Sequence, residues 1–401
     1  MARSSSEVIV VGAGAAGLAA ADALARAGVS VLVLEARDRI GGRCDTRRMP
    51  GLAVPVELGA EFLHGGPAAT LDLLARAGIP GVDSTRTQRV LWRGSLREAN
   101  AFVEAKKAMQ GAVFRRDMSF AEHLARRRLP ALTKTLARMM VQGFDAADPA
   151  VVSARDIADE WKSALGASQM RPQGGYQPLV ATLAKDLDIR LRSPVREVRW
   201  RKGRVEIEGF RARQAVITLP LGVLQAGAAR FDPPLGKEEA LTMLASGPVI
   251  RVAMRFREAF WEKRHPGVAF YHSPAAPFPT FWTPLPMHAP LLTAWAGGPK
   301  AAALTGLPQK ELVKHALASV RTVFPRMASL EDHLVQDWQA DRYARGGYSY
   351  LRAGGKGARE ALRRPLRRTL YFAGEATDSE EAGTVAGALR SGIRAAREIL
   401  G

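Results

Sequence analysis

The chain opens on Val8-Ile-Val-Val11, four consecutive β-branched apolar residues, the pattern of a strand buried on both faces. An alanine-rich stretch from Ala15 and a second apolar run, Val31-Leu-Val-Leu34, follow, so the start reads strand, helix, strand. Glu57 to Gly65 reads as loop and strand. From Pro67 to about Trp161 apolar residues recur at the helical period, in Ala69 to Ala77, Ser119 to Arg128 and Leu132 to Met140, with Pro130 and Pro149 as breaks. This predicts a helical insertion. Strand patterns return at Ile189 to Leu191, Val195 to Trp200, Arg204 to Glu208 and Ala215 to Pro220, the middle two alternating like half-buried antiparallel strands. A second alternating block starts at Val249-Ile-Arg-Val-Ala-Met-Arg-Phe256, and Pro- and aromatic-rich strands continue to Trp295. A helix near Gln309 to Val323, a strand over His333 to Trp338, a buried strand and turn at Leu370 to Glu375 and a helix over Thr384 to Leu400 complete the pattern.

Gly12, Gly14 and Gly17 stand between the first strand and the first helix, and Glu35 closes the second strand, one residue before Ala36. Glycines at this spacing permit a tight turn, close approach of a pyrophosphate and close helix packing; Ala16, in the first turn of the helix, lies where its positive end meets phosphates. A carboxylate at Glu35 can take both hydroxyls of an adenosine ribose. Strand, glycines, helix, strand and acid in this order point to a bound dinucleotide.

At 401 residues, 47% of them hydrophobic, the chain can fill two cores. Segments 1–66, 171–241 and 341–401 read as one discontinuous domain, and 67–170 with 242–340 as a second inserted into it. The single cysteine, Cys44, excludes an internal disulfide and suits a reducing compartment. No apolar run reaches the length of a membrane span, and the first six residues leave no room for a secretory segment. The expectation is a soluble, cytoplasmic protein away from membranes. Its net charge of +19 invites a nucleic-acid reading, but the basic clusters, Arg126 to Arg128 and Arg367-Arg368 among them, are scattered and lack interleaved aromatic residues. Solvated surface is the favoured account, with nucleic acid disfavoured as a partner. His265, His272 and His288 show no ligand spacing, so no metal is assigned.

Several further segments, in order along nearly the whole chain, resemble the flavin-containing amine oxidases: monoamine oxidases, polyamine oxidases and lysine-specific histone demethylases. Leu34-Glu-Ala-Arg-Asp-Arg-Ile-Gly-Gly-Arg43 is similar to their FAD fingerprint, which implies that Arg37, Gly42 and Arg43 lie against the pyrophosphate and flavin edge. Gly59-Ala60-Glu61-Phe-Leu-His64-Gly65 resembles the segment beside the flavin in polyamine oxidases. The run Ala215 to Leu224, containing Thr218, is shared with polyamine oxidases and demethylases, and Val195 falls where the family contacts adenine. Asp337-Trp338 to Tyr350 is closest to the demethylase type, and Phe372-Ala-Gly374-Glu375-Ala with Gly383-Thr384-Val385 matches the C-terminal flavin motif. The implied fold is α/β: a Rossmann-like, discontinuous FAD-binding domain with an inserted α+β substrate domain.

The resemblance implies hydride transfer from the carbon beside an amine nitrogen to flavin N5, hydrolysis of the imine, and reduction of molecular oxygen to hydrogen peroxide. A small primary or secondary amine, polyamine-like by the His64 segment, is the favoured substrate. The helix start at Thr384 and Val385 would stabilise charge on the reduced flavin. Glu375 would bind a hydroxyl of the FAD linker, or else close its turn. Three positions depart from the family. Gly347 stands where covalently flavinylated members have cysteine, which implies noncovalent FAD. Thr384 replaces one ring of the aromatic cage and leaves Tyr348 alone. Arg251 falls where the family lysine reaches flavin N5 through water, and an arginine cannot shed its proton. His64 either hydrogen-bonds the amine or is an ordinary loop histidine, and Glu61 either orients a cationic substrate or faces solvent. Trp338 and Tyr343 either wall the flavin site or belong to the core. An amine dehydrogenase, amino-acid oxidase or desaturase on the same fold remains as an alternative, as does a flavin-bound protein that binds through its basic surface. The exact amine and the oligomeric state stay open.

Overall fold

The computed structural model describes residues 6–84, 87–164 and 169–401. The first five residues, on which the reading of no secretory segment rests, lie outside them. Val8–Val11 is the middle strand of a five-stranded parallel sheet ordered Asp188–Arg190, Val31–Leu34, Val8–Val11, Gln214–Ile217, Leu370–Phe372. Its residues alternate between two cores. Val8 and Val10 face the helices Ala15–Arg26, Tyr176–Leu183 and Val385–Leu400. Ile9 and Val11 pack on Val198, Trp200, Val205 and Ile207 of a smaller four-stranded sheet on the other side. Burial on both faces is why the strand reads as an unbroken apolar run.

Close packing of the two long helices depends on a residue without a side chain. A Cβ at Gly392 would come within 2.2 Å of the Ala16 carbonyl oxygen. Because all five strands are parallel, their carboxyl ends share one edge. Gly12, Glu35, Thr218 and Ala373 each follow a strand there, the usual place for a ligand in such sheets.

Residues 67–164 are not purely helical, contrary to the sequence pattern. Helices Ala68–Ala77, Ala101–Met109, Phe120–Arg126, Ala131–Gly143 and Ala154–Ala164 are present, but strands Gly81–Asp83, Thr87–Trp92 and Ser95–Glu98 interrupt them. The last two form a hairpin turning on Arg93 and Gly94, with φ 50° and 77°. Both values are left-handed, as a two-residue hairpin turn with the twist of its strands requires. The hairpin extends a seven-stranded sheet ordered Leu330–Asp337, Val249–Phe256, Leu291–Gly297, Thr280–Trp282, Val268–His272, Thr87–Trp92, Ser95–Glu98. Phe210–Ala212 and Arg230–Asp232 are further strands that the sequence pattern did not single out. No helix among the described residues is long and apolar enough to cross a membrane.

Candidate active site

One cavity of about 610 Å³ runs from the carboxyl edge of the parallel sheet to the seven-stranded sheet. At the sheet edge the backbone is shaped by its glycines. Gly12 has φ +103°, and a Cβ at Gly17 would lie 1.9 Å from the Gly12 carbonyl oxygen. Gly14 caps the Ala15–Arg26 helix without a side-chain hydrogen bond, so its first-turn N–H groups meet the cavity with no side chain to satisfy them. Nothing lies within 4 Å of a Cβ built on Gly14. An open cradle at a helix start fits a phosphate-bearing cofactor. Glu35 is held ready by the backbone N–H groups of Ala13 and Arg37, both at 2.8 Å. Arg37 itself is clamped bidentately by Asp341, at 2.9 and 2.7 Å.

Farther along the wall, Arg43 Nη1 donates to the Gly347 carbonyl and to Glu375. Glu375 also accepts from the Ser349 hydroxyl at 2.6 Å and from the N–H groups of Ser349 and Gly383. Burial works to raise its pKa, but Arg43 and the Ser349 hydrogen bond outweigh it and hold the carboxyl below its ordinary range. Much of its hydrogen-bonding capacity therefore closes the turn. A Cβ at Gly347 would meet Val249 Cγ2 at 2.6 Å, which leaves no room for a thiol. Thr384 spends its hydroxyl on the cap of the Val385–Leu400 helix, accepting from Gly387 N at 3.0 Å and donating to Glu381 O at 2.7 Å. The Tyr348 hydroxyl donates to the carbonyls of Gly143 and Phe144.

Arg251, 2% exposed, projects from the Val249–Phe256 strand into a polar knot. Its Nη1 donates to the Gly59 carbonyl at 2.9 Å, its Nη2 to Glu61, and its guanidinium lies 5.1 Å from the Trp282 ring centre. Arg171 Nε donates to the same carboxylate at 2.8 Å, and the Trp282 indole N–H also donates to it at 3.1 Å. Glu61 therefore neither faces solvent nor stands free for a cationic substrate. Burial would raise its pKa, but Arg251 and Arg171 hold it below the usual range. Arg251 Nε is buried without a hydrogen-bond partner.

The remaining wall is aromatic with one acidic spot. His64 packs 5.1 Å from Phe144 and 6.2 Å from Phe102, ring centre to ring centre. Burial pushes its pKa down to about 4, so it is neutral at pH 7. Asp145 and Glu160 are hydrogen-bonded to each other, and the Trp161 indole donates to Asp145 at 3.2 Å. Burial and the neighbouring Glu160 push Asp145 well above its ordinary pKa. Glu160 is pushed to about 7 by burial and Asp156, with Arg359 pulling it partly back. Two carboxyls in such contact share a proton.

The structure gathers the expected residues at this cavity. Gly12, Gly14, Ala16, Glu35, Ala36, Arg37, Gly42, Arg43, Gly59, Ala60, Glu61, His64, Val195, Thr218, Arg251, Trp338, Tyr348, Gly374, Glu375, Thr384 and Val385 all line it. Gly17 does not; it packs beneath the turn. Trp338 and Tyr343 line it as well, Trp338 also tying its indole to the Leu58 carbonyl at 2.9 Å. The sequence reading did not single out Phe102, Phe144, Asp145, Glu160, Trp282 or Trp295, which also line it. Local patterning marks them only as core or helix positions.

A family model described as "Flavin containing amine oxidoreductase" matches residues 15–400. The chain is 33% identical to Polyamine oxidase 3 of Oryza sativa subsp. japonica, over 97% of its length and 88% of that protein. It is 28% identical to Lysine-specific histone demethylase 2 of Homo sapiens, over 98% of its length but only 53% of that protein. Among solved structures it resembles a putrescine oxidase bound to putrescine, with TM-score 0.85 and 23% identity over 99% of both chains. A cyclohexylamine oxidase from Brevibacterium oxydans shares the fold at TM-score 0.83 and 22% identity, again over 99% of both chains. The phosphate cradle, the clamped acid at Glu35 and a family match over residues 15–400 agree: the chain belongs to the flavin-containing amine oxidoreductase family and is an FAD-dependent oxidoreductase acting on amines.

Proposed function

We propose that the protein is an amine oxidase for a primary or secondary amine bearing a second cationic nitrogen, a polyamine-like substrate, and that oxygen is its electron acceptor with hydrogen peroxide the product. The observation that carries this reading is the Asp145–Glu160 pair in the wall of an otherwise aromatic cavity. Glu35, Glu61 and Glu375 are bound up in internal hydrogen bonds and ion pairs. A carboxyl pair sharing one proton keeps a negative charge in a desolvated wall, which attracts an ammonium group. Similarity to Polyamine oxidase 3 supports the same substrate class.

FAD, held without a covalent bond, would supply the acceptor for one hydride, which carries the two electrons of the oxidation. The residues do the rest. The Gly12–Gly14 turn and the Ala15–Arg26 helix start would hold the pyrophosphate, Glu35 the ribose, and Val195 would border the adenine. Tyr348, Phe144 and neutral His64 exclude water and receive the uncharged amine, whose hydrogen bond an imidazole nitrogen can accept. The Val385–Leu400 helix start would present its positive end to the negative charge that grows on the reduced flavin. Segments 1–66, 171–241 and 341–401 serve as the FAD-binding domain, and 67–170 with 242–340 as the substrate-binding domain.

The test is an anaerobic panel of diamines, polyamines and chain-matched monoamines, followed through loss of flavin absorbance. Air is then admitted and peroxide measured. Faster bleaching by diamines with stoichiometric peroxide is expected. Equal rates for monoamines would remove the second-cation requirement. Bleaching without aerobic peroxide would select an amine dehydrogenase, the second reading, which the fixed positive charge of Arg251 favours.

A further inference from the structure

Of the basic clusters in the sequence, Arg367-Arg368 meets the turn Arg201 to Arg204 and Arg213 in the fold, at the edge of the parallel sheet opposite the cavity. The turn Arg201 to Arg204 is pinned there by Gly203 N donating to the Thr369 hydroxyl at 2.8 Å. Gln214 Nε2 donates to the Arg368 carbonyl at 3.2 Å, and Arg213 N to the Glu7 carbonyl at 3.1 Å. Arg367 and Arg368 occupy consecutive left-handed positions, with φ 49° and 51°, just before the strand Leu370–Phe372. The side chains of Arg201, Lys202, Arg204, Arg213, Arg367 and Arg368 are exposed, and none is ion-paired among the described residues. Nearby acids are engaged elsewhere: Glu206 with Arg211, and Glu7 with the N–H of Ser30.

Like charges gathered on a backbone scaffold repel one another, and a polyanion relieves that repulsion. Lying across the sheet from the cavity, this face meets neither cofactor nor amine. We propose that it binds the phosphate backbone of duplex DNA, without reading bases. Five of the six cations are arginines, whose planar forks suit phosphate oxygens. The exposed large apolar residues, Val103, Val113, Leu191, Leu307 and Leu400, lie outside these loops, so nothing here inserts into a lipid surface. Exposed aromatic rings, which single strands need for stacking, are missing from the loops among the described residues.

The experiment uses the FAD-loaded protein and a labelled 20-base-pair duplex of random sequence, with anisotropy read across a salt series. Six phosphate contacts give a slope of log affinity on log salt of about −5. Lys202→Ala/Arg367→Ala/Arg368→Ala should lower affinity more than tenfold at low salt and flatten the slope by about 3. FAD content and amine turnover should stay unchanged, which separates this surface from the proposed catalytic reading. A control variant, Arg97→Ala/Arg115→Ala/Arg128→Ala, removes equal charge from other exposed positions and should bind like the parent. Three results overturn the proposal: no binding at low salt, equal loss in the control variant, or tighter association with phosphatidylglycerol vesicles than with the duplex.

Discussion

Arg251 and Glu61 form a buried ion pair across 190 residues of sequence, and Arg171 shares the same carboxylate. Two guanidiniums thus surround one carboxylate, and the three charges respond unequally to loss of a member. Glu61→Gln strands two like charges in a desolvated wall and should cost about 3–5 kcal/mol. Arg251→Met leaves Glu61 with Arg171 and Trp282 and should cost clearly less. Urea unfolding of the apoproteins measures both. Equal losses, or the reverse order, would break the shared-counter-ion account.

The glycine turn predicts a separation of folding from cofactor binding. A Cβ at Gly17 collides with the Gly12 carbonyl, whereas one at Gly14 meets nothing. Gly17→Ala should therefore lower the melting temperature of the apoprotein, while Gly14→Ala should leave it near that of the parent and weaken FAD affinity. Apoprotein melting and flavin titration distinguish the two, and a Gly14→Ala apoprotein as unstable as Gly17→Ala would refute the open cradle.

Flavin should be released completely by acid precipitation, because Gly347 carries no sulfur and Val249 fills the space where one would sit. Absorbance of the supernatant and pellet checks this. Yellow pellet that resists denaturation would contradict it.

Much of this architecture is legible from local pattern. Val8–Val11, the glycines, Val31–Leu34 and Glu35 lie within one contiguous unit, and the helix Gln309–Val323 carries its own period. The Thr87–Glu98 hairpin was hidden because its alternation is short and helices flank it on both sides. Glu61 shows the harder limit. Its neighbours in sequence suggest a loop at a cavity, but its chemistry is decided by Arg171 and Arg251, 110 and 190 positions away. Asp145 and Glu160 likewise look like a loop acid and a helix-face acid until packing brings them together.

Arg251→Lys restores a group able to lose its proton, and Arg251→Met removes the charge. If Arg251 stands at the flavin, Arg251→Lys should change the rate of flavin reoxidation by oxygen, and Arg251→Met should slow reduction or reoxidation by roughly 100–1,000-fold, the scale of losing one preorganised donor. Stopped-flow measurement separates the half-reactions. Parent rates in both variants would place Arg251 away from the chemistry.

The carboxyl pair makes the last prediction one of pH. Glu160 titrates near 7 in the folded protein against an ordinary 4.5, so the native state holds its proton more tightly than the unfolded chain. The stability this provides is full below about pH 4.5 and is lost as pH rises through 7. His64 and His272, both lowered to about 4, act in the opposite sense over the acidic range, so the Glu160 contribution must be read as a difference. Glu160→Gln keeps the neutral form at every pH; the stability of the parent relative to this variant should fall between pH 4.5 and 7. The same charge governs binding. Above about pH 7 the pair is anionic and holds a second ammonium, whereas below it both carboxyls are protonated. The ratio of kcat/KM for a diamine to that for a monoamine of equal length should therefore rise through pH 7 in the parent and stay flat in Glu160→Gln. Taking the ratio cancels deprotonation of the reacting nitrogen, common to both substrates, and a ratio independent of pH in the parent would detach the Asp145–Glu160 pair from substrate recognition.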